Sequence, residues 1–396
     1  MSDYLAEAKA LQDEMVNDRR WLHRHAEVGE HLPETAAYVK KKLAGMGIEA
    51  KEICECGLVV NLGGKKPGKC ILLRADMDAL PMQEQSGVSF ACENGCAHSC
   101  GHDMHTAMLL GAAKILKAHE DELCGTVKLM FQPAEEIFTG AAKMMKAGVA
   151  EDPHVDAAVT LHVSSVSPFP VNSLVLKKGL GNASCDVYRV VVKGLGCHGA
   201  NPDQGVDPIT AAAHIHTAFQ ELSAREINSQ DVAVITQGMF HSGEAPNVIP
   251  GTAVMEGTMR ALKEEVRQKL LRRMREITES IGKAFRAEAT FEVCGGCRPL
   301  YNDEAVFEAA RTYFTELVGE EGVKIKGNEA AMGAEDFSNV LENIPGIQVV
   351  LAVGSTLDGA KYPMHNPRVV FREEPMYIGA GGMAYLAKRW LEDHNG

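Results

Sequence analysis

Long apolar runs are missing from this chain. Uncharged apolar stretches such as 106–113 and 347–353 are short, whereas a bilayer span needs about 20 such residues, so no membrane-spanning helix is expected. Basic charge is also scarce. Lys and Arg number 40 against 53 Asp and Glu, a formal charge of −13, and proteins that grip a phosphate backbone usually present a basic face. Nucleic acid is therefore not an expected partner. No basic segment after Met1 leads into an apolar stretch, so no secretory leader is read and the expected compartment is the cytosol. Internal repeats and low-complexity tracts are absent too.

What is present is ordinary globular composition at more than ordinary length. Hydrophobic residues make up 45% and charged residues 23% of 396, which excludes a disordered chain and a coiled coil and predicts two domains with a large core. Eleven cysteines in a cytosolic-looking chain read as reduced thiols or metal ligands, most of them small buried hydrophobes.

The pattern along the chain is nested. Helical signals at 3–26 and 33–46, short apolar strands at 70–74, 125–131 and 157–163, and a helix at 105–119 predict an α/β domain whose mixed sheet is covered by helices on both faces. From 184 to 293 the order changes to strand, helix, two strands, long helix, strand, the ferredoxin-like βαββαβ unit. Alternation then resumes through a helix at 303–318, a strand at 347–353 and a closing helix at 376–392. The expected domains are 1–182, an inserted 183–294 and 295–396.

The densest chemical cluster is Cys92, Cys96, His98, Cys100, His102 and His105. Thiolate and imidazole are the usual ligands of zinc and related metals. The spacing fits neither paired C-x-x-C knuckles nor an iron–sulfur run, because position 99 is serine. A different reading takes Cys100 and His102 and seeks partners elsewhere. Glu135 and Glu136 follow directly on a buried-type strand, where carboxylates rarely stand without partners. As neighbours in an extended chain they are expected to point apart, one to a metal and one to water. His162 ends the next strand, and His365 sits in a late turn. Gly194-x-Gly196-x-x-Gly199 matches a dinucleotide fingerprint in form only, since Pro202 and Pro208 delay the helix that should meet the pyrophosphate.

Arg74-Ala75-Asp76-Met77-Asp78-Ala79-Leu80-Pro81, Ser99-Cys100-Gly101-His102-Asp103-Met104-His105, Gln132-Pro133-Ala134-Glu135-Glu136, Leu161-His162 and His365-Asn366-Pro367 together resemble the successive motifs of the metal-dependent N-acyl-amino-acid amidohydrolases. That family includes hippurate hydrolase and the plant auxin-conjugate hydrolases. The resemblance implies a catalytic domain with two divalent cations (zinc, manganese, cobalt or nickel), interrupted by a lid that also makes a homodimer or a higher oligomer. It implies that Cys100, His102, Glu136, His162 and His365 ligate the metals, with Cys100 bridging them. Many relatives carry His where Asp76 stands, so a ligand from that motif is replaced by His102. Glu135 becomes the general base toward water, and Asp78 a carboxylate that orients a metal-binding His. His198 reaches a neighbouring subunit's oxyanion, while Asn247 and Arg260 suit the carboxylate of a small N-acyl amino acid. Glu335 and Asp336 belong to a further motif without an assigned role.

Two other readings share these residues. One is a di-metal dipeptidase or aminopeptidase. The other is a non-catalytic metal-binding or redox protein built on Cys92, Cys96 and Cys100.

Overall fold

The structure is a computed structural model that describes residues 3–327, 331–355 and 362–395. It divides into two compact units, one of residues 1–181, 301–329 and 339–396, the other of residues 182–300 and 330–338.

The first unit opens with three helices, α1 (Asp3–Ala10), α2 (Gln12–Arg24) and α3 (Pro33–Gly45). The single helix expected over 3–26 is interrupted at Leu11. Strands β1 (Lys51–Cys54), β2 (Gly57–Gly63) and β3 (Cys70–Asp76) follow, then helix α4 (His102–Ala118) and strands β4 (Thr126–Gln132), β5 (Ala157–Ser164) and β6 (Leu174–Leu176). With the later strands Val323–Ile325 and Gly346–Ala352, they form one eight-stranded sheet. Its order is β1-β2-β4-β3-β5, then Gly346–Ala352, β6 and Val323–Ile325. β3, β4, β5 and Gly346–Ala352 run parallel; β1, β2 and the β6 pairing with Gly346–Ala352 supply the antiparallel steps.

Every residue of β3 and β4 is buried, which is why these strands read as mostly apolar runs and not as alternation. β1 and β2, which the sequence reading did not resolve, form a hairpin around Cys56 at φ 57°. Helix α4 begins three residues before the expected start, and its Leu109, Leu110, Ala112 and Ala113 are fully buried. Beside it lies the closing helix Met376–His394, and Gly379 admits Met108: a Cβ there would stand 2.2 Å from the Met108 sulfur.

Beneath the start of α4 is a buried ionic network. Asp103 Oδ2 accepts from Arg19 Nε at 2.9 Å and bonds His23 Nδ1 at 2.8 Å, while His23 Nε2 bonds Glu84 at 3.1 Å. Arg19 also donates to Glu373 at 2.8 Å. Burial opposes ionisation of Asp103, but Arg19 and His23 hold its carboxyl well below the usual range. Burial alone would lower the His23 value, yet its bonds to Asp103 and Glu84 outweigh that and raise it. The network ties α2, the loop carrying Glu84 and the first turn of α4 into one body.

The second unit is a four-stranded antiparallel sheet in the order Ala233–Ser242, Thr252–Ala261, Cys185–Lys193, Glu288–Cys297. With helices Pro208–Glu221 and Glu264–Ala284 this is the βαββαβ arrangement. Tyr188, Val190, Phe219, Met255, Leu270 and Met274 fill its core. The unit extends to Leu300 and takes in a stretch near 331–338, because Ala183 N donates to the carbonyls of Ala331 and Gly333, both at 3.0 Å. The helix expected over 208–227 ends as α-helix at Glu221 and continues as one π turn, Leu222–Glu226. Among the described residues no helix is long and apolar enough to cross a membrane.

The His23 network carries a pH signature. Its folded value lies above the ordinary one near 6.5, so its stabilisation is fully present below about pH 6.5 and is lost as pH rises through the raised value. The melting-temperature gap between wild type and His23→Gln is therefore expected to be larger at pH 6 than at pH 9. A gap that widens on raising the pH contradicts a charged His23.

Candidate active site

β3 ends at Asp76 because the chain must turn out of the sheet, and Asp78 lands two residues beyond its edge. Asp78 is fully buried. Its carboxylate accepts the backbone N–H of Glu135 at Oδ1 and of Glu136 at Oδ2, both at 3.0 Å. Its backbone carbonyl accepts from His102 Nδ1 at 2.8 Å, whereas its carboxylate is 3.5 Å from that nitrogen. The contact expected of the Asp78 carboxylate is thus made by its carbonyl, and the carboxylate instead fixes the turn that carries Glu135 and Glu136.

That turn changes the geometry of the two glutamates. β4 stops at Gln132, and Ala134 takes φ 59°, a left-handed conformation uncommon outside glycine. In a turn, neighbouring side chains need not alternate. Glu135 Oε2 lies 3.9 Å and Glu136 Oε1 3.8 Å from the same His102 Nε2. The expectation that they point apart, drawn from an extended strand, is corrected: both carboxylates converge.

Cys100 and His102 are placed by Gly101, which sits at φ 92° as the residue before α4. A Cβ there would stand 2.4 Å from Val163 Cγ2. His162, at the end of β5, donates from Nδ1 to the Val163 carbonyl at 2.7 Å, and its Nε2 faces Cys100 Sγ at 3.5 Å. His365, at φ 63°, is anchored by its N–H to the Ser99 carbonyl at 3.0 Å and brings Nε2 to 3.6 Å from Glu136. The ligand-type atoms of Cys100, His102 and His162 lie within 4.8 Å of one another, as do those of Cys100, Glu136 and His365. Cys100 is the member common to both groups.

The electrostatics are those of ligands without counter-charge. Burial, reinforced by Glu136, pushes the Cys100 thiol well above its ordinary value. Burial pushes Glu136 up to about 7, with His102 pulling the other way and Asp78 and Asp76 adding to the rise. Burial would depress His102, but Asp76, Cys100 and Asp78 raise it well above the ordinary imidazole value. His365 is lowered by burial and by His102 and His162. His102 Nε2 and Glu136 Oε1 are buried without a hydrogen-bond partner. Orphaned atoms on a thiol–imidazole–carboxylate cluster fit divalent cations.

Three residues without an assigned role in the sequence reading belong to this architecture. Asp76 Oδ2 accepts from Arg74 at 2.5 Å, and Oδ1 accepts from His105 Nδ1 at 2.6 Å. Burial opposes the Asp76 charge, yet Arg74, His102 and His105 hold it well below the carboxylate range. Burial takes His105 down to about 4. Arg74 and Asp76 in an otherwise apolar strand were the available signal, since buried charges imply partners.

Cys92 and Cys96 pack with Ala26 and Ala79 in a small apolar cluster. Among the described residues, no metal-capable group of side chains includes either. His98 is buried with both ring nitrogens unpartnered, and burial holds it down at about 3. The metal-binding reading built on Cys92, Cys96 and Cys100 therefore has no shared ligand set among the described residues, Cys100 grouping instead with His102, His162, Glu136 and His365.

The remaining candidates lie in the second unit. His198 and Asn247 are exposed neighbours there: His198 pairs with Val248, and Gly199 N donates to Asn247 O at 2.8 Å. Arg260 is half-buried opposite Val234. Glu335 and Asp336 are buried, with Glu335 accepting from Phe337 N at 3.0 Å.

Comparison with known proteins agrees with this geometry. The model of Peptidase family M20/M25/M40 matches residues 72–389. N-acetyl-L-cysteine deacetylase of Bacillus subtilis (strain 168) is 35% identical over 387 residues, covering 97% of this chain and 90% of that protein. IAA-amino acid hydrolase ILR1-like 4 of Arabidopsis thaliana is 34% identical over 392 residues, covering 98% and 88%. The crystal structure of Bacillus subtilis YxeP, a dinuclear metal binding peptidase from the M20 family, superposes with a TM-score of 0.76 at 33% identity, covering 97% of this chain and 99% of that one. The chain belongs to Peptidase family M20/M25/M40 and is a metal-dependent hydrolase of amide bonds.

Gly101→Ala tests how tightly the Cys100–His102 segment is held. A left-handed alanine costs about 1–2 kcal/mol, and forcing a methyl into packed Val163 about 1–3 kcal/mol more. The expected outcome is a stability loss of roughly 2–5 kcal/mol in denaturant unfolding, together with loss of bound divalent cation by elemental analysis. Unchanged stability and metal content would contradict the contact with Val163.

Proposed function

We propose that this chain hydrolyses the amide bond of N-acyl-L-amino acids, releasing a carboxylic acid and an amino acid, with Glu135 as general base. The observation that carries the reading is the convergence of Glu135 on a cluster of buried Cys100 and His102, half-buried Glu136 and His162 and exposed His365, in which His102 Nε2 and Glu136 Oε1 are orphaned. Cys100, His102 and His162 would hold one divalent cation, and Cys100, Glu136 and His365 a second. One thiolate among imidazoles and carboxylates suits zinc, manganese, cobalt or nickel. When bound, such a cation pair polarises the scissile carbonyl and makes water more acidic.

The chain's own groups do the rest. Glu135, only 6% exposed, is held by its N–H on Asp78 so that its carboxylate faces the cluster. There it takes a proton from water and passes it to the leaving amine. No side chain needs to form a covalent bond to the acyl group. His198 accepts from Ala200 N at Nδ1, at 3.0 Å, so the neutral ring carries its proton on Nε2 and can donate it to a developing oxyanion. Asn247, fixed beside Gly199, and the Arg260 guanidinium are the proposed grip on the substrate carboxylate.

Homodimerisation, or a higher assembly, would use the second unit. Its edge strand Ala233–Ser242 exposes Val234, Met239 and Phe240, and long apolar edges invite pairing. A reducing, cytosolic setting is supported by eleven cysteines that are all free thiols.

Removing divalent cations with a chelator should abolish hydrolysis of N-acetyl and N-benzoyl amino acids, and adding them back should restore it. Glu135→Gln is expected to keep its metal and lose about 10²–10⁴-fold in kcat; full activity would remove Glu135 from the reaction. Dipeptides belong in the same panel, since a dipeptidase or aminopeptidase prefers a free α-amine. Mixing inactive Glu135→Gln and His198→Ala subunits should restore part of the activity if His198 serves the partner's site. No recovery in verified mixed dimers places that role within one chain or nowhere.

A further inference from the structure

His105 stands one turn after His102 on α4, and both of its ring nitrogens are engaged. Nε2 accepts the backbone N–H of Val163 at 2.9 Å. A nitrogen that accepts carries no proton, so the proton of the neutral ring is on Nδ1, which donates to Asp76 Oδ1 at 2.6 Å. Asp76 is turned toward this task by Arg74 at its other oxygen and by Thr106, whose hydroxyl donates to the Asp76 carbonyl at 2.8 Å. All four residues are buried.

The place where His105 inserts explains why it is needed. β3 and β5 pair only as far as Arg74 and Thr160, and Val163 lies beyond the last β5 residue that pairs with β3. On its other edge Val163 still pairs with Leu351, but on the β3 side its N–H is taken by His105 and not by a β3 carbonyl, while its C=O is taken by His162 Nδ1. The Val163 peptide groups are therefore held at both ends by imidazoles. The two rings meet edge to face, centroids 4.5 Å apart. With Val163 fixed, the His162 ring is fixed, and its Nε2 is presented to Cys100.

We propose that His105 is a positioning residue for the metal centre: as the Nδ1–H tautomer set by Asp76, it holds the Val163 peptide and thereby aims His162 at the cation shared with Cys100. The inference rests on the metal-centre reading above. It assigns His105 no contact with cation or substrate, and it makes Asp76, His102 and His105, whose ligand-type atoms also cluster, a clamp and not a third cation site.

The test begins with wild-type apoprotein titrated with Co²⁺. Two ions per chain and a thiolate-to-cobalt absorption band establish the centre; without them the metal-centre reading itself fails. Two variants then separate the two hydrogen bonds. His105→Gln puts an amide oxygen near the Nε2 position and keeps an acceptor for Val163. His105→Asn puts an amide nitrogen near Nδ1, keeps the donor to Asp76 and leaves the Val163 N–H without a partner. The Gln variant should retain both ions and the wild-type cobalt spectrum. The Asn variant should bind one ion at least tenfold more weakly and show altered d–d bands, with kcat falling more than KM rises. Equal behaviour of the two variants overturns the proposal, as does a third tightly bound Co²⁺ in the wild type. Should either variant fail to fold, ¹⁵N-histidine NMR of the wild type decides: Nδ1–H at His105 supports the proposal, and Nε2–H or a doubly protonated ring overturns it.

Discussion

The catalytic unit depends on one buried carboxylate. Asp78 accepts two consecutive backbone N–H groups, those of Glu135 and Glu136, and offers its own carbonyl to His102. Three segments that are distant in sequence are thereby locked together: the exit of β3, the turn after β4 and the first turn of α4. A charged acceptor of two N–H groups makes stronger bonds than a neutral one, and full burial leaves it no competing water. Without the Asp78 carboxylate the Glu135–Glu136 turn loses the acceptor for two adjacent donors, whereas the backbone carbonyl that selects the His102 tautomer stays in the chain.

Around that pin the site is organised in two shells of opposite character. The inner groups, Cys100, His102, Glu136, His162 and His365, have ligand atoms turned toward one another, and Cys100, His102, Glu136 and His365 have shifted protonation. The outer groups are held in hydrogen-bonded ion pairs, with Asp103 Oδ1 the one carboxylate oxygen of Asp76 and Asp103 left without a partner. Arg74 with Asp76 and His105 supports β5 and His162; Arg19 with Asp103, His23 and Glu84 supports the start of α4. Buried ion pairs are weak evidence for stability, because desolvation offsets much of their attraction. Their value here is geometric: each fixes a backbone position next to a ligand, and metal sites are sensitive to such supporting contacts.

Much of this was legible in residue order. The strands 70–74, 125–131 and 157–163 are recognisable because parallel strands covered on both faces are mostly apolar, with few buried charges. The βαββαβ pattern of the insertion is visible because its helix Pro208–Glu221 opens on a capping Asp207 and its helix Glu264–Ala284 has an apolar face of its own. Cys100, His102, Glu136, His162 and His365 stand out because polar ligands at the ends of apolar strands and in tight turns need a reason. The β1–β2 hairpin was not legible, since its strands are short and their partners lie elsewhere in the sheet. Nor was the stretch near 331–338, which joins the second unit through backbone bonds that no side chain advertises.

What the sequence determined by itself is therefore a nested α/β chain with a thiol–imidazole–carboxylate metal chemistry, because apolar periodicity and ligand type are local properties of residues. What only the tertiary structure decided is how those groups face one another. Glu135 and Glu136 converge because Ala134 adopts a left-handed turn that Asp78 stabilises from 57 residues away. Asp78 works through its carbonyl toward His102 because the end of β3 sets that carbonyl at the start of α4. His105, identical in type to the ligands around it, is excluded from their number because Asp76 and Val163 already occupy both of its nitrogens. Hydrogen-bond partners are assigned by packing, and packing is a property of the folded chain.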